Sequence, residues 1–550
     1  MYLFQQSLEV VDEVAVHWFR RDLRLHDNEG LLRAAECCTK LIPLYILDSH
    51  YLDPDKHGSN YLGFLLDSLR DLDNDLKDIG SQLFIAKGDP VDVMEKLLSA
   101  FNVSKVTFSR ATGKHNQSVE KRITEISVRH GGDVESFWSN TLYDPDYLLS
   151  VNCGIIPEDA ESFLHCIASN SLKPPKPLAS PTNLPPPPLD VVEKVEGVLP
   201  AVPGLEEFKE YGYDPEKYTT TFLSGERTSI DRMKNFMSRK QVIFGYSEVE
   251  SNVISREDPT SSPPKTSGLS PYLSLGSLSV RLLFCNLRRA ERSPSMKIQA
   301  IIQNALRCFR KYRIRSSLEL LYCREYTYLL DYMTEGNLDI IGGHHTCIYK
   351  HIPWVRGEEA EQLIRKWEMG ETGYPAVDAC MNQLRHDGWV HNLGRHMAAC
   401  FLTGGDLMVW WEHGRDVFAK YLVDYDRAIN NYQWHWLSCK AFFSEYFCSL
   451  NPVTTYKQFD RHGTYVRTHV PVLKNFPDQY IYEPWRAPEE VQEAAGCIIG
   501  RDYPPPMVDH AEAFVKNKIM VQKVAEECAN TVVFTSSLSR KSYDGKMETF

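Results

Sequence analysis

Five short apolar runs of strand type, separated by polar or amphipathic stretches, fill the first 139 residues, and this alternation is lost from about Glu206 onward. The runs are Ala15 to Arg21, Lys40 to Asp48, Ser81 to Asp89, Lys105 to Arg110 and Asp133 to Ser139, with helical patterns such as Tyr61 to Gly80 and Pro90 to Asn102 between them. Strands joined by single helices close as right-handed parallel crossovers. The alternation therefore predicts a doubly wound parallel sheet that takes ligands at its strand carboxyl ends. No GxGxxG follows any of these runs, which argues against a dinucleotide on this sheet.

Beyond it, the run SLKPPKPLASPTNLPPPPLD (Ser171 to Asp190) has too many prolines to pair in a sheet or continue a helix, so it reads as an extended connector wrapping between domains. The patterns then turn amphipathic at helical period: Thr228 to Ile243, Ser279 to Glu291, Ile298 to Tyr312 and Glu358 to Gly370. The expected class is α/β plus all-α. Residues 14–145 form the sheet domain, 146–205 a proline-rich connector, 206–515 a large helical domain, and 516–550 a C-terminal helix with a short mobile tail.

Charge and cysteine usage narrow the function. Acidic residues outnumber basic ones by 73 to 61, so the surface as a whole does not suit a phosphate backbone, although a local basic groove stays open. The 14 cysteines are scattered without a CxxC pair, and no leader pattern follows Met1, which reads as free thiols in a reducing compartment. No apolar run reaches membrane length, so no membrane partner is expected. In GGHHTC (Gly342 to Cys347) adjacent histidines do not easily aim at one ion; the segment reads as a loop, and no metal is expected.

Five tryptophans lie between Trp389 and Trp436, beside Arg395, Asp424 and Asp426. Aromatic stripes at helical spacing are usually core. Indole is also the most easily oxidised side chain, so its concentration beside carboxylates points to a redox cofactor in a helical box. The hydroxyl-rich stretch Lys265 to Arg281, and Ser224 to Arg227, suit either a helix cap or a diphosphate.

LRLHDN (Leu23 to Asn28), TSGLSPYLSLGSLSVR (Thr266 to Arg281), CREY (Cys323 to Tyr326), TGYPAVDACMNQLRHDGWVHN (Thr372 to Asn392) and DYDRAINNYQWHW (Asp424 to Trp436) together resemble the cryptochrome/photolyase family. The resemblance runs from about Val14 to Val515 and is nearest in texture to animal cryptochromes and (6-4) photolyases. It implies a helical domain holding FAD, with the diphosphate at Ser224, Thr266, Ser267, Leu269 and Ser270. Around the isoalloxazine it implies Asn392, the ion pair Arg395 and Asp424, Asp426 at the ring's polar edge, and Asn430 facing the redox nitrogen. An amide at residue 430 has no carboxyl proton to give, so the chain is expected to favour the anionic flavin radical or to reach the neutral one slowly. By the same resemblance Trp434, Trp411 and Trp354 form an electron relay, and His396 is a candidate transducer or acid. Met408 replaces a fourth relay position. Trp410, placed on another helix face, is read with Trp367 and Trp436 as packing.

Two departures from that pattern bear on repair. Asn392 stands where (6-4) photolyases carry a second lesion-contacting histidine, and Cys323 stands where a tryptophan stacks on the flipped lesion; stacking of this kind is worth ~1–3 kcal/mol per base. NPVTTYKQFD (Asn451 to Asp460) still resembles a phosphate-side loop, so DNA contact stays possible though disfavoured for lesion repair. The resemblance points first to a blue-light photoreceptor of nucleus and cytoplasm with signalling or clock proteins as partners, then to a photolyase, then to a light-independent circadian repressor. Arg427, where relatives often carry Trp, has no explanation in the sequence. Nothing in LRLHDN or KGDP (Lys87 to Pro90) decides whether a folate or deazaflavin antenna is bound.

Overall fold

The computed structural model describes residues 13–157, 160–238, 267–291, 317–334, 351–438 and 450–543. The sheet domain is organised around β1 (Val14–Phe19), buried along its whole length. An unbroken apolar run such as VAVHWF can sit there because a parallel strand flanks it on each side: Val16 lies opposite Ile42 on β2 (Lys40–Asp48) and Val106 on β4 (Val103–Ser109). With β3 (Phe84–Gly88) and β5 (Asp133–Phe137) the parallel order is β5-β4-β1-β2-β3. The chain winds outward from β1 through β3, then returns to the other side of β1. The reversal between β1 and β4 opens a crevice at the strand carboxyl ends.

Helices α1 (Glu29–Glu36), α2 (Ser59–Asp78), α3 (Pro90–Ala100) and α4 (Lys114–Arg129) connect these strands. The start of α3 shows the local chemistry: the Asp89 carboxylate accepts from the N–H groups of Val91 and Asp92, and Pro90 occupies the first turn where its missing N–H costs nothing.

The proline-rich stretch is extended, and it wraps the sheet domain by lending carbonyls. Leu41 N–H donates to Pro186 O at 3.3 Å, and Asp27 N–H to Leu178 O at 3.0 Å. The rest of the connector is not extended. Helices form at Pro145–Val151 and Ala160–Ser169, and β6 (Val198–Leu199) adds an antiparallel edge to β3. Two residues paired at an edge are too short to show a strand period.

The helical domain follows with α5 (Glu226–Ser238), α6 (Ser270–Leu275), α7 (Val280–Glu291), α8 (Ser317–Thr334), α9 (Gly357–Met369), α10 (Pro375–Asp387), α11 (Asn392–Cys400), α12 (Trp411–Tyr421), α13 (Arg427–Leu437) and α14 (His510–Tyr543). Helix α14 continues past Ser536, where the sequence pattern fades. The segments 298–312 and 342–347 singled out above lie outside the described residues, as does Thr266.

LRLHDN is the seam between the domains. Arg24 is fully buried and all three guanidinium nitrogens donate to carbonyls: Nε to His26, Nη1 to Gly276 at 2.7 Å, and Nη2 to Asp27 and Ser139. Asp27 accepts from Leu178 N–H on one oxygen and from Ser279 and Arg281 on the other. Gly276 sits so close to the Arg21 carbonyl that a Cβ would lie 1.9 Å from its oxygen, at a φ of +76°. Only glycine closes this seam. The CREY motif acts alongside: Arg324 donates to Asn140 O, Glu325 accepts from Leu142 N–H, and the Tyr326 hydroxyl donates to Pro157 O. Burial pushes the Glu325 carboxyl up to about 7.

Candidate functional site

Two helices of the all-α domain face one another across a cavity of about 450 Å³. Helix α11 begins with His391 as its cap, the imidazole accepting from Leu393 N–H, and turns Asn392, Arg395, His396 and Ala399 toward the cavity at helical spacing. Helix α13 begins at Asp426, whose carboxylate caps Ile429 N–H at 3.1 Å, and contributes Asn430, Gln433, Trp434 and Leu437. Phe418, Leu422 and Asp424 complete the wall.

The polar groups here are arranged for something beyond themselves. Arg395 Nη2 meets Asp424 Oδ2 at 2.8 Å, and its Nε donates to Val390 O. The other oxygen of Asp424 is buried without a hydrogen-bond partner, and so is Nε2 of His396. Burial, reinforced by the neighbouring Arg395 charge, holds the His396 imidazole down at about 4, so it is neutral at physiological pH. Orphaned buried polar atoms cost about 1–3 kcal/mol each, and these two belong to residues that line the cavity. A ring with polar edges fits both facts. The Asn430 side chain donates to Arg415 O at 3.0 Å, which leaves the cavity an amide and no carboxyl proton. Asp426 also receives the Tyr328 hydroxyl and lies 3.8 Å from Arg21.

Of the residues predicted for this site, the structure brings Asn392, Arg395, His396, Asp424, Asp426, Asn430 and Trp434 to one cavity. Ser224, Ser267, Leu269 and Ser270 are not among its lining. Ser270 Oγ accepts from Trp389, whose indole lies under the Arg395 guanidinium at 5.8 Å. Ser224 is bonded to the Asp71 carboxylate, and Leu269 is buried. Arg232, in sequence one charge among several on an amphipathic stretch, donates to Ser267 O at 2.9 Å. Among the described residues it is a cation placed on that turn, and helical spacing alone does not name it.

Around Trp434 the aromatic side chains are close. Gly414 of α12 lies directly on the indole, where a Cβ would be 2.1 Å from Cη2. His435, next along α13, puts its ring 4.1 Å from Trp411. Trp410 is not on a helix face: α12 starts at Trp411, and Trp410 precedes it in extended conformation (φ −60°, ψ 129°). That segment bridges to the Trp354 strand segment, Val355 N–H donating to Met408 O. The Trp410 ring consequently stands 5.8 Å from Trp354 and 6.2 Å from Trp411. Trp354, Met408, Val521 and Val524 form one buried cluster, so α14 covers the outer end of the aromatic series. Asn517 and His510 pin that helix to Gly405 and Asp406.

Arg427 now has an account. Its guanidinium bonds Asp331 on α8 at 2.7 Å and packs against Gly113 of the sheet domain, fixing the first residue of α13 to both domains.

A second cavity, about 930 Å³, opens at the carboxyl ends of β1, β2 and β4, where the doubly wound topology predicts a ligand. Arg21, Tyr45, Asp48, Tyr51 and Tyr61 line it, and Arg21 also reaches Asp426 of the first cavity.

The class of protein follows from the whole constellation. Residues 15–177 match the DNA photolyase family model, and residues 318–523 match that of the FAD binding domain of DNA photolyase. The chain belongs to the cryptochrome/photolyase family, and its helical domain is an FAD-binding domain. It is 36% identical to a (6-4)DNA photolyase of Arabidopsis thaliana, over 93% of this chain and 90% of that one. Cryptochrome-2 of Gallus gallus is 37% identical, over 90% of this chain and 81% of that one. Among solved structures, a bacterial class III photolyase from Agrobacterium tumefaciens superposes with a TM-score of 0.75 at 27% identity, covering 95% of this chain and all of that one.

Proposed function

We propose that this chain is a blue-light photoreceptor, a cryptochrome in function rather than a repair enzyme. One observation carries the choice: the cavity keeps Arg395, Asp424 and Trp434 together, whereas Asn392 and Cys323 replace two groups that would grip a lesion. Bound FAD supplies the absorption of blue light and a strong excited-state oxidant. Arg395 holds negative charge at the ring, Asp424 balances the cation, Asp426 and Asn430 orient the polar edge, and Ser224, Thr266, Ser267, Leu269 and Ser270 with Arg232 serve the diphosphate. Trp434 gives up the electron. Trp411 and Trp354 pass the hole outward, with Trp410 between them. His396, neutral in a cavity that gains negative charge, takes a proton more readily and is the candidate transducer. Helix α14, seated on Trp354, is the element a signal reaches, and signalling or clock proteins in nucleus and cytoplasm are the partners this favours.

Illuminating the purified protein with (6-4) and cyclobutane-dimer DNA while recording flavin spectra tests the reading. Photoreduction without lesion turnover is expected; turnover overturns it in favour of the photolyase that the Arabidopsis relative is named for. Trp434→Phe should slow photoreduction by at least about tenfold while FAD is retained. A protein that binds no FAD yet holds clock proteins supports the repressor reading instead. The sheet-end cavity is the place for an antenna, folate or deazaflavin, and chromophore extraction from purified protein identifies which.

A further inference from the structure

Sequence alone makes Trp367 of α9 a packing residue, yet it is an indole in contact with Trp434. The two rings are T-shaped at 6.4 Å and 77°, and Phe418 touches both, at 5.1 Å from Trp434 and 6.2 Å from Trp367. The ring contacts of Trp411, in contrast, are with Trp410 and His435. Two further facts separate Trp367 from Trp411 as holders of positive charge. The Trp367 indole N–H donates to Ala398 O at 3.0 Å, so a carbonyl dipole points its negative end at the ring. The Trp411 indole nitrogen is buried with no hydrogen-bond partner. The Arg415 guanidinium lies 5.1 Å from the Trp411 centroid but is itself paired with Glu412 at 3.4 Å and Asp416 at 2.8 Å, so it adds no uncompensated positive charge beside Trp411. Hydrogen bonding to a charged form favours it.

We propose that Trp367 is a branch of the relay: a hole on Trp434 divides between Trp411, which leads outward, and Trp367, which stores it reversibly. The inference rests on the reading of Trp434 as the primary donor. In the branch step one electron leaves the Trp367 π system and fills the vacancy on Trp434. No bond forms or breaks, and the indole proton stays on Trp367, because an amide carbonyl accepts a hydrogen bond but is too weak a base to take the proton. Trp367 is fully buried, and its ring contacts are Trp434 and Phe418. A phenyl ring is not oxidised at the potential of an indole, so the hole on Trp367 returns the way it came. The branch lengthens the stay of the hole near the cavity and lowers the fraction that escapes to Trp354.

The test uses the FAD-loaded full chain and transient absorption of the tryptophan radical cation after a blue pulse. Trp411→Phe is expected to keep a short-lived radical-cation signal that recombines completely, because Trp434 and Trp367 still share the hole. Adding Trp367→Phe to Trp411→Phe should shorten that signal to the lifetime of a hole confined to Trp434. Trp367→Phe alone should raise the yield of reduced flavin. Identical radical lifetimes in Trp411→Phe and the double variant overturn the branch, as does an unchanged yield in Trp367→Phe. Unchanged photoreduction in Trp434→Phe sinks the donor reading instead, so the two failures are distinguishable. In the flavin-free protein, near-ultraviolet circular dichroism reads the contact itself: a Trp434–Trp367 exciton couplet is expected to vanish equally in either single variant. Its persistence in Trp367→Phe rules the geometry out.

Discussion

Arg281 with Asp27, at the seam between sheet and helices, and Arg395 with Asp424, on the wall of the helical cavity, are the same chemical pair in two conditions. In the first, both carboxylate oxygens are bonded within the protein, one to Leu178 N–H and the other to Ser279 and Arg281, and the neighbouring Arg24 directs all three guanidinium nitrogens to backbone carbonyls. In the second, one carboxylate oxygen is buried without a partner, and beside it His396 is held neutral with an orphaned nitrogen. A saturated buried pair is a structural lock. An unsaturated one beside a cavity is a site awaiting a ligand, and the protein carries the cost until it arrives.

The largest effect is expected at the seam. Asp27→Ala leaves Arg281 and the Leu178 N–H without their buried acceptor and should cost about 3–5 kcal/mol, read from urea denaturation of the flavin-free protein. A loss below about 1 kcal/mol breaks the comparison, because the lock would then be no more than a surface pair.

Next comes the pH dependence of the cavity. An unfolded imidazole titrates near 6.5, whereas His396 in the fold holds off protonation to about 4. Between these values the unfolded chain binds the proton and the fold does not. Stability is therefore intact above pH 6.5 and falls as pH drops toward 4, with His396 accounting for at most about 3 kcal/mol of the loss. His17 and His57, depressed by burial to about 3 and about 4, add to the slope in the same direction. Comparing denaturation at pH 7 and pH 5 for His396→Asn and the parent chain should show a flatter dependence in the variant. Equal slopes assign the acid sensitivity elsewhere.

The smallest effect on the fold, and the sharpest contrast with the seam, is expected at Asp424. Asp424→Asn should leave flavin-free stability within about 1 kcal/mol, since its partner Arg395 is partly exposed, yet weaken FAD binding by at least about tenfold. Equilibrium titration with FAD checks the second part; a stability loss as large as that of Asp27→Ala dissolves the distinction between lock and site.

The strands were readable because buried parallel strands are continuous apolar runs, and Ala15 to Arg21 and Lys40 to Asp48 coincide with β1 and β2 to within two residues. The face shared by Asn430 and Trp434 was readable for a related reason, since Asp426 caps α13 and the spacing then follows the helix. Residue spacing places Trp410 on a helix face, whereas the helix starts only at Trp411. The π-turn at Phe401–Gly405 and the positive φ of Met408 break the period there, and no residue spacing announces either. Arg232 and Arg427 were opaque for another reason: a charge on an amphipathic helix looks solvated until the partner, Ser267 or Asp331, is folded onto it.

By itself the sequence determined the order of elements, the division into a sheet domain and a helical domain, the family, and the residues that α11 and α13 turn to one side, because these depend on period and on local capping. The tertiary structure alone decided which arginine–aspartate pair is saturated, where LRLHDN is spent, and which indoles touch. Those depend on distances between segments hundreds of residues apart, as with Arg24 and Gly276, or on one broken turn before Trp411 that brings Trp410 between its neighbours.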